Sequence, residues 1–200
     1  MMIFTGPKLA FLSQSKTGSS AYQAALGAKA DIVITNPTTL KHATIQRFDR
    51  FLKPMLAVGG VSDVETLGVI REPISWLGSW YRYRSRPFLD GHANSTKDVS
   101  FDQFVTDYMA EDRPSYANVG SQYRFLFAPN GKHSVDHVFR YENQEGLIDF
   151  LETRLDLALD LPRVNVSPVM SLELDPKIES KLRRKLSDDF DLWDRLDAGA

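Results

Sequence analysis

Two stretches of this chain bring together side chains able to hold anionic oxygen. The first is Ser15-Lys16-Thr17-Gly18-Ser19-Ser20. Lys16 supplies an ammonium, Thr17, Ser19 and Ser20 supply hydroxyls, and Gly18 lets the backbone turn so that amide N–H groups can face a ligand. Between a strand and a helix start such a run cradles a tetrahedral oxyanion, because the first helical turn leaves its N–H groups unpaired. The spacing departs from the triphosphate loop G-x-x-x-x-G-K-[ST], since Gly18 follows Lys16 and Ser15 precedes it. An ordinary strand–helix turn with an exposed Lys has the same composition, so the hexapeptide alone leaves both readings open.

The second stretch runs from Arg71 to Arg86 and holds four of the chain's fourteen Arg, with Trp76, Trp80, Tyr81 and Tyr83. On a helix Ser75, Ser79, Arg82 and Arg86 share one face, and Ile74, Leu77 and Tyr81 share another that can pack on a sheet. Arg71 closes an apolar strand, where ligands of open α/β sheets gather. Guanidinium forks and hydroxyls suit a second phosphate. The bland alternative is a solvated Arg-rich face beside a half-buried aromatic stripe. A kinase or triphosphate hydrolase places a Mg²⁺-binding Asp at the end of a neighbouring strand; here Arg71 stands there, which favours metal-free binding of two separated anionic groups.

The elements that position these residues follow from periodicity. Lys8–Gln14 is a short apolar run expected as a strand entering the anion loop, and Ala21–Ala28 a helix with Ser19 or Ser20 as N-cap. Asp31–Ile34 is a second strand closed by Asn36-Pro37. Thr44 caps a helix carrying Ile45, Phe48 and Leu52, which leaves Lys41 and His42 in the connection before it. Thr66–Ile70 is the third strand, and Pro73 opens a helix to about Arg84. Ser100 and Gln103 have capping-box spacing for a helix to about Ala110. Val138–Tyr141 is a fourth strand, Glu145–Leu155 is helical, and Ile178, Leu182 and Leu186 line a last helix. Strands alternating with helices imply an α/β fold, a three-layer sandwich around a mainly parallel sheet, in a single domain spanning 1–200.

Composition bounds the rest. At 200 residues, 42% hydrophobic and 11% aromatic, the chain can build a core, and 24 Lys plus Arg against 26 Asp plus Glu give no global basic field for nucleic acid. No run reaches the roughly 18 apolar residues of a membrane span. The absence of Cys rules out disulfides, thiolate metal clusters and a cysteine nucleophile. A cytoplasmic protein is expected. His92, His133 and His137 have no second ligand at metal spacing. The acidic stretch Asp188, Asp189, Asp191, Asp194 and Asp197, interleaved with Phe190, Leu192, Trp193 and Leu196, fits an amphipathic helix better than a calcium loop. Gln122-Tyr123 either lines a substrate cleft or packs Tyr123 on the core.

Lys16-Thr17-Gly18-Ser19-Ser20 after a first strand resembles the 5′-phosphosulfate loop of sulfotransferases that use 3′-phosphoadenosine 5′-phosphosulfate. Val69-Ile70-Arg71-Glu72-Pro73, with Ser79 eight residues beyond Arg71, resembles their 3′-phosphate motif. Val138-Phe139-Arg140-Tyr141-Glu142-Asn143 and Arg163-Val164-Asn165-Val166-Ser167 are similar to segments of the bacterial and carbohydrate branch. The resemblance touches about residues 8–196. It implies a P-loop-like sulfotransferase fold and transfer of a sulfuryl group to an acceptor hydroxyl, on a small molecule or a saccharide.

The roles it implies are specific. Lys16 would contact the bridging oxygen and the 5′-phosphosulfate, with Thr17, Gly18, Ser19 and Ser20 as further donors. Arg71 and Ser79 would bind the 3′-phosphate, and Arg163 would approach the donor from a late loop. His42 stands near the position of the family's catalytic base, and imidazole can accept a hydroxyl proton near neutral pH. Sulfuryl transfer of this kind calls for no metal. Two alternatives remain: a Mg²⁺-dependent small-molecule kinase of related fold, and a non-catalytic relative that binds a nucleotide or a partner.

Overall fold

A computed structural model of the chain describes residues 1–128, 131, 133–162 and 170–196. From the N-terminus, β1 (Met2–Phe4) and β2 (Leu9–Phe11) form a hairpin, followed by α1 (Ser19–Leu26), β3 (Ile32–Val33) and the single turn α2 (Thr38–Lys41). Next α3 (Ile45–Arg47) runs through a π-helical turn (Phe48–Leu52) into α4 (Lys53–Val58), and β4 (Glu65–Ile70) leads to α5 (Pro73–Arg84). A 3-10 turn (Pro87–Leu89), α6 (Phe101–Met109), α7 (Gln122–Leu126), β5 (His137–Arg140), α8 (Gln144–Leu155), α9 (Pro176–Lys185) and α10 (Ser187–Arg195) complete the order. The class is α/β. The elements fall into two compact units, one of Met1–Arg71 with the chain returning from Ser121 through α8, the other of Glu72–Gly120 with α9 and α10.

The first unit is built on a five-stranded sheet in the order β3-β1-β2-β4-β5. It is mixed: β1 is antiparallel to both neighbours, while β2, β4 and β5 are parallel. Sequence reasoning missed β1, although Met2-Ile3-Phe4 is apolar and Thr5-Gly6-Pro7 is turn chemistry. The hairpin shortens the strand expected at Lys8–Gln14 to Leu9–Phe11 and frees Leu12–Gly18 to carry the anion loop. Alternation sets the two faces of the sheet. Met2, Phe4, Leu9, Phe11, Leu67 and Val69 pack on Tyr22 and Leu26 of α1 and on Leu147 and Leu151 of α8. Each such buried side chain is worth roughly 1.5–3 kcal/mol. On the opposite face Leu126 of α7 approaches Gly68 so closely that a Cβ there would lie 2.4 Å from its Cδ2, so only glycine fits the strand at that point.

The second unit has a core of helices. Trp76 and Leu77 of α5 pack with Phe101, Phe104, Val105 and Tyr108 of α6 and with Leu182, Leu186 and Phe190. The sequence places Ile74, Leu77 and Tyr81 against a sheet; the partners found for them are these helical side chains. The reason is aromatic mass, since Tyr81 lies edge-on to both Phe101 and Phe104, with ring centroids 5.4 and 5.7 Å apart. Pro73 begins α5 and the Glu72 carboxylate caps it, accepting the Ser75 N–H at 2.6 Å. Ser100 caps α6 by accepting the Gln103 N–H at 3.1 Å. The box is half made: Gln103 Nε2 donates to Asp107 instead of reaching back to the cap. Among the described residues, no helix is long and apolar enough to cross a membrane.

Candidate functional site

The C-terminal ends of β2, β4 and β5 lie side by side, because these three strands are parallel and adjacent. The anion loop leaves the first, Arg71 the second and Tyr141 the third. Two backbone bonds hold the row in register: the Leu12 N–H donates to the Leu67 carbonyl at 2.8 Å, and the Tyr141 N–H to the Ile70 carbonyl at 2.7 Å. The carboxyl edge of a parallel sheet is where ligands of α/β proteins bind.

The loop is shaped by two residues with positive φ, Lys16 at 68° and Gly18 at 74°. Left-handed backbone at a lysine is uncommon and costs conformational energy, so the surrounding bonds must hold it. Thr17 is buried, and its hydroxyl donates to the Gln14 carbonyl at 3.0 Å. Arg71 Nη1 donates to the Lys16 carbonyl at 3.3 Å. Gly18, rather than Ser19 or Ser20, is the N-cap of α1, and no side chain caps that helix. Both serines are therefore the first helical residues, and the hydroxyls are not committed to capping. A Cβ on Gly18 would lie 3.2 Å from Cε2 of Tyr141, and its φ disfavours any other residue. The loop backbone thus approaches the Tyr141 ring as closely as a glycine allows.

Arg71 is held from several sides. Its guanidinium stacks over the Tyr141 ring, 4.5 Å from the centroid. Its backbone is clamped by one fully buried amide: Gln122 Oε1 accepts the Arg71 N–H at 3.0 Å while Gln122 Nε2 donates to the Arg71 carbonyl at 2.8 Å. Gln14 Nε2 donates to the same Gln122 Oε1 at 3.1 Å, tying the clamp to the start of the loop. Tyr141 is fastened in turn, since Gln144 bonds its carbonyl and accepts the Tyr22 hydroxyl of α1 at 2.7 Å. Burial raises the Tyr22 phenol well above its ordinary pKa, which keeps it a donor.

His42, which follows β3 and α2 in the chain, reaches the start of the loop after β2. The sequence leaves it in a connection; instead it ends the helical turn of α2, with Thr44 capping α3 as expected. Its Nδ1 lies 2.5 Å from the Ser13 carbonyl. A carbonyl only accepts, so Nδ1 carries the proton and Nε2 keeps the lone pair when the ring is neutral. Burial lowers its pKa, the Ser13 bond opposes that shift, and nearby Lys41 adds to it. The ring is therefore held in its neutral form, with the Nε2 lone pair able to accept a proton.

The first unit holds Lys16, Thr17, Gly18, Ser19, Ser20, Arg71 and His42: Arg71 bonds the Lys16 carbonyl, His42 the Ser13 carbonyl, and the Thr17 hydroxyl is already given to Gln14. Ser79 sits in α5 of the second unit and is 3% exposed. The rest of its helix face is engaged within that unit, Arg82 donating to the Met170 carbonyl at 3.3 Å and Arg86 lying over Tyr83. Arg163, Asn165 and Ser167 lie outside the described residues. Tyr141 was legible only as a strand residue; its place one step past a parallel strand is the clue to its role. Gln122, which the sequence leaves between cleft and core, is neither free in a cleft nor mere packing. His133 and His137 are engaged by Asp49 at 2.7 Å and Glu65 at 2.8 Å. Among the described residues no group of three or more His, Asp or Glu could hold a metal ion. No family model, curated protein or solved structure matches the chain.

Proposed function

We propose that this chain is a sulfotransferase that uses 3′-phosphoadenosine 5′-phosphosulfate, built on a P-loop-like sulfotransferase fold, with a small-molecule or saccharide hydroxyl as acceptor. One observation carries the reading: the Arg71 guanidinium, stacked on Tyr141, bonds the backbone of the Lys16 loop and so sets two cationic groups at neighbouring strand ends. Two separated anionic groups on one nucleotide match two such cations. The donor set fits the group, being cationic and hydroxylic at a helix start that a left-handed glycine turns the chain into.

When bound, that nucleotide supplies a sulfuryl group with a good phosphate leaving group. The chain's own residues do the rest. Lys16 and the N–H groups of Ser19 and Ser20 stabilise negative charge at the loop, and Arg71 binds the outlying phosphate. His42 Nε2 takes the acceptor hydroxyl proton as the oxygen attacks, while the Ser13 carbonyl holds the Nδ1 proton and fixes the tautomer. In-line transfer through a loose transition state asks the protein for positioning and charge stabilisation, which this arrangement provides. Ser79, in the second unit, carries none of this reading.

Calorimetry with 3′-phosphoadenosine 5′-phosphate tests it. Wild-type protein should bind without Mg²⁺, and Arg71→Ala should weaken binding about 10- to 100-fold, the loss of a charge-assisted bond. A folded wild type that gives no binding heat, or that prefers Mg²⁺-ATP, overturns the proposal.

A further inference from the structure

The helical stretch of α3, the π turn and α4 leaves a run of apolar side chains in water. Phe51 is 60% exposed, Met55 52% and Val58 92%, at spacings that put them on one face. Leu40 of α2 is 48% exposed as well, in a turn that Arg47 Nη1 reaches by donating to the Thr39 carbonyl at 3.3 Å. Ile45, Phe48 and Leu56 of the same stretch are buried, so the exposed set is not simply the helix's share of the core.

The charges around this run have one sign. Between Thr38 and Val58 stand Lys41, Arg47, Arg50 and Lys53 against a single carboxylate, Asp49, in a chain of net charge −2. Asp49 is mostly covered and already engaged by His133 at 2.7 Å and Lys53 at 3.8 Å. Arg47, Arg50 and Lys53 are exposed, and the Arg50 guanidinium lies over the Phe51 ring, 5.2 Å from its centroid. Cationic groups flanking exposed Phe and Met on one helical face match an anionic bilayer surface. There the apolar side chains enter the acyl boundary while Lys and Arg stems keep their charges among lipid phosphates.

We propose that the face formed by Leu40, Arg47, Arg50, Phe51, Met55 and Val58 docks on membranes rich in anionic phospholipid. The inference stands apart from the sulfuryl-transfer reading, because vesicle binding is measured without donor or acceptor.

Co-sedimentation with vesicles tests it, phosphatidylcholine alone against phosphatidylcholine mixed with phosphatidylglycerol. The wild type should sediment with the mixed vesicles at low salt, stay largely in solution with phosphatidylcholine alone, and be released by high salt. Arg47→Gln/Arg50→Gln should weaken binding about 25-fold, at roughly five-fold per cationic group. Phe51→Ser/Met55→Ser/Val58→Ser should abolish it, and Phe88→Ser, which alters an exposed aromatic of the second unit, should change nothing. Three results each overturn the proposal: a wild type that stays in solution with mixed vesicles, a triple serine variant that binds like wild type, or a wild-type dimer that the serine variant makes monomeric. The last would give the face to a second copy of the chain.

Discussion

In the first unit Arg71 sits at the edge of a sheet, its backbone clamped by Gln122 and its guanidinium laid on Tyr141 beside the Lys16 loop. In the second unit Arg84 is buried in a helix, donates to the Ser115 carbonyl at 2.6 Å and lies over Trp80, 5.2 Å from the ring centroid. Arg113 and Arg183 likewise lie over Tyr108 and Phe190. The same residue type does two jobs. In the second unit the ring and carbonyl partners of these guanidiniums belong to helices and the loops beside them; Arg71 also has a ring and a carbonyl, but both lie just past strand ends. Where a separate amide holds the backbone, the side chain is set at the strand end beside a glycine-bearing loop. Arginine density in the stretch from Arg71 to Arg86 therefore does not by itself mark a site; the candidate rests on position at a parallel strand end.

The largest expected effect probes the site side of this comparison. On the proposed sulfuryl-transfer reading, His42→Ala should lower turnover by about 10²–10⁴ in single-turnover kinetics while leaving donor affinity nearly unchanged by calorimetry, with a lowered melting temperature from the lost bond to the Ser13 carbonyl. A near-wild-type rate would remove His42 from the chemistry. The pH profile sharpens the point. Burial lowers the His42 pKa, so kcat/KM should be flat around neutrality and fall on acidification with an inflection below the ordinary histidine value of about 6.5. Stability carries the same sign. Folding favours the neutral ring, so the contribution is full above about pH 6.5 and is lost as pH falls through the lowered native value.

A smaller effect tests the clamp. Gln122→Ala strips partners from the Arg71 N–H and carbonyl and from Gln14, and should cost about 3 kcal/mol in denaturant unfolding, since each orphaned buried group costs roughly 1–3 kcal/mol. It should also weaken donor-product binding, because Arg71 loses its fixed direction. Unchanged binding in a folded variant would show that the loop and Tyr141 position Arg71 without the clamp. The smallest effect belongs to the second unit. Arg84→Met keeps the aliphatic stem and should cost about 2 kcal/mol through the lost charged bond to Ser115. Donor binding and turnover should stay at wild-type levels, and a loss of either would erase the distinction drawn between the two arginines.

Local chemistry fixed much of the chain in advance. Pro73, Ser100 and Thr44 mark helix starts because caps and proline act within one turn, and β4 and β5 stand out because their apolar runs end at turn residues. Lys16, Gly18 and Arg71 were legible because loop composition and strand ends are local too. Strand β1 was not, since three residues carry little periodicity and their pairing with Leu9–Phe11 is a contact between segments. Nor was the destination of the α5 apolar face, because a helix stripe specifies only that it be buried, not what buries it. The placement of His42 on the Ser13 carbonyl, the Gln122 clamp spanning 51 residues and the stacking of Arg71 on Tyr141 were decided by tertiary structure alone. Each joins residues far apart in sequence through a register that only the assembled sheet defines.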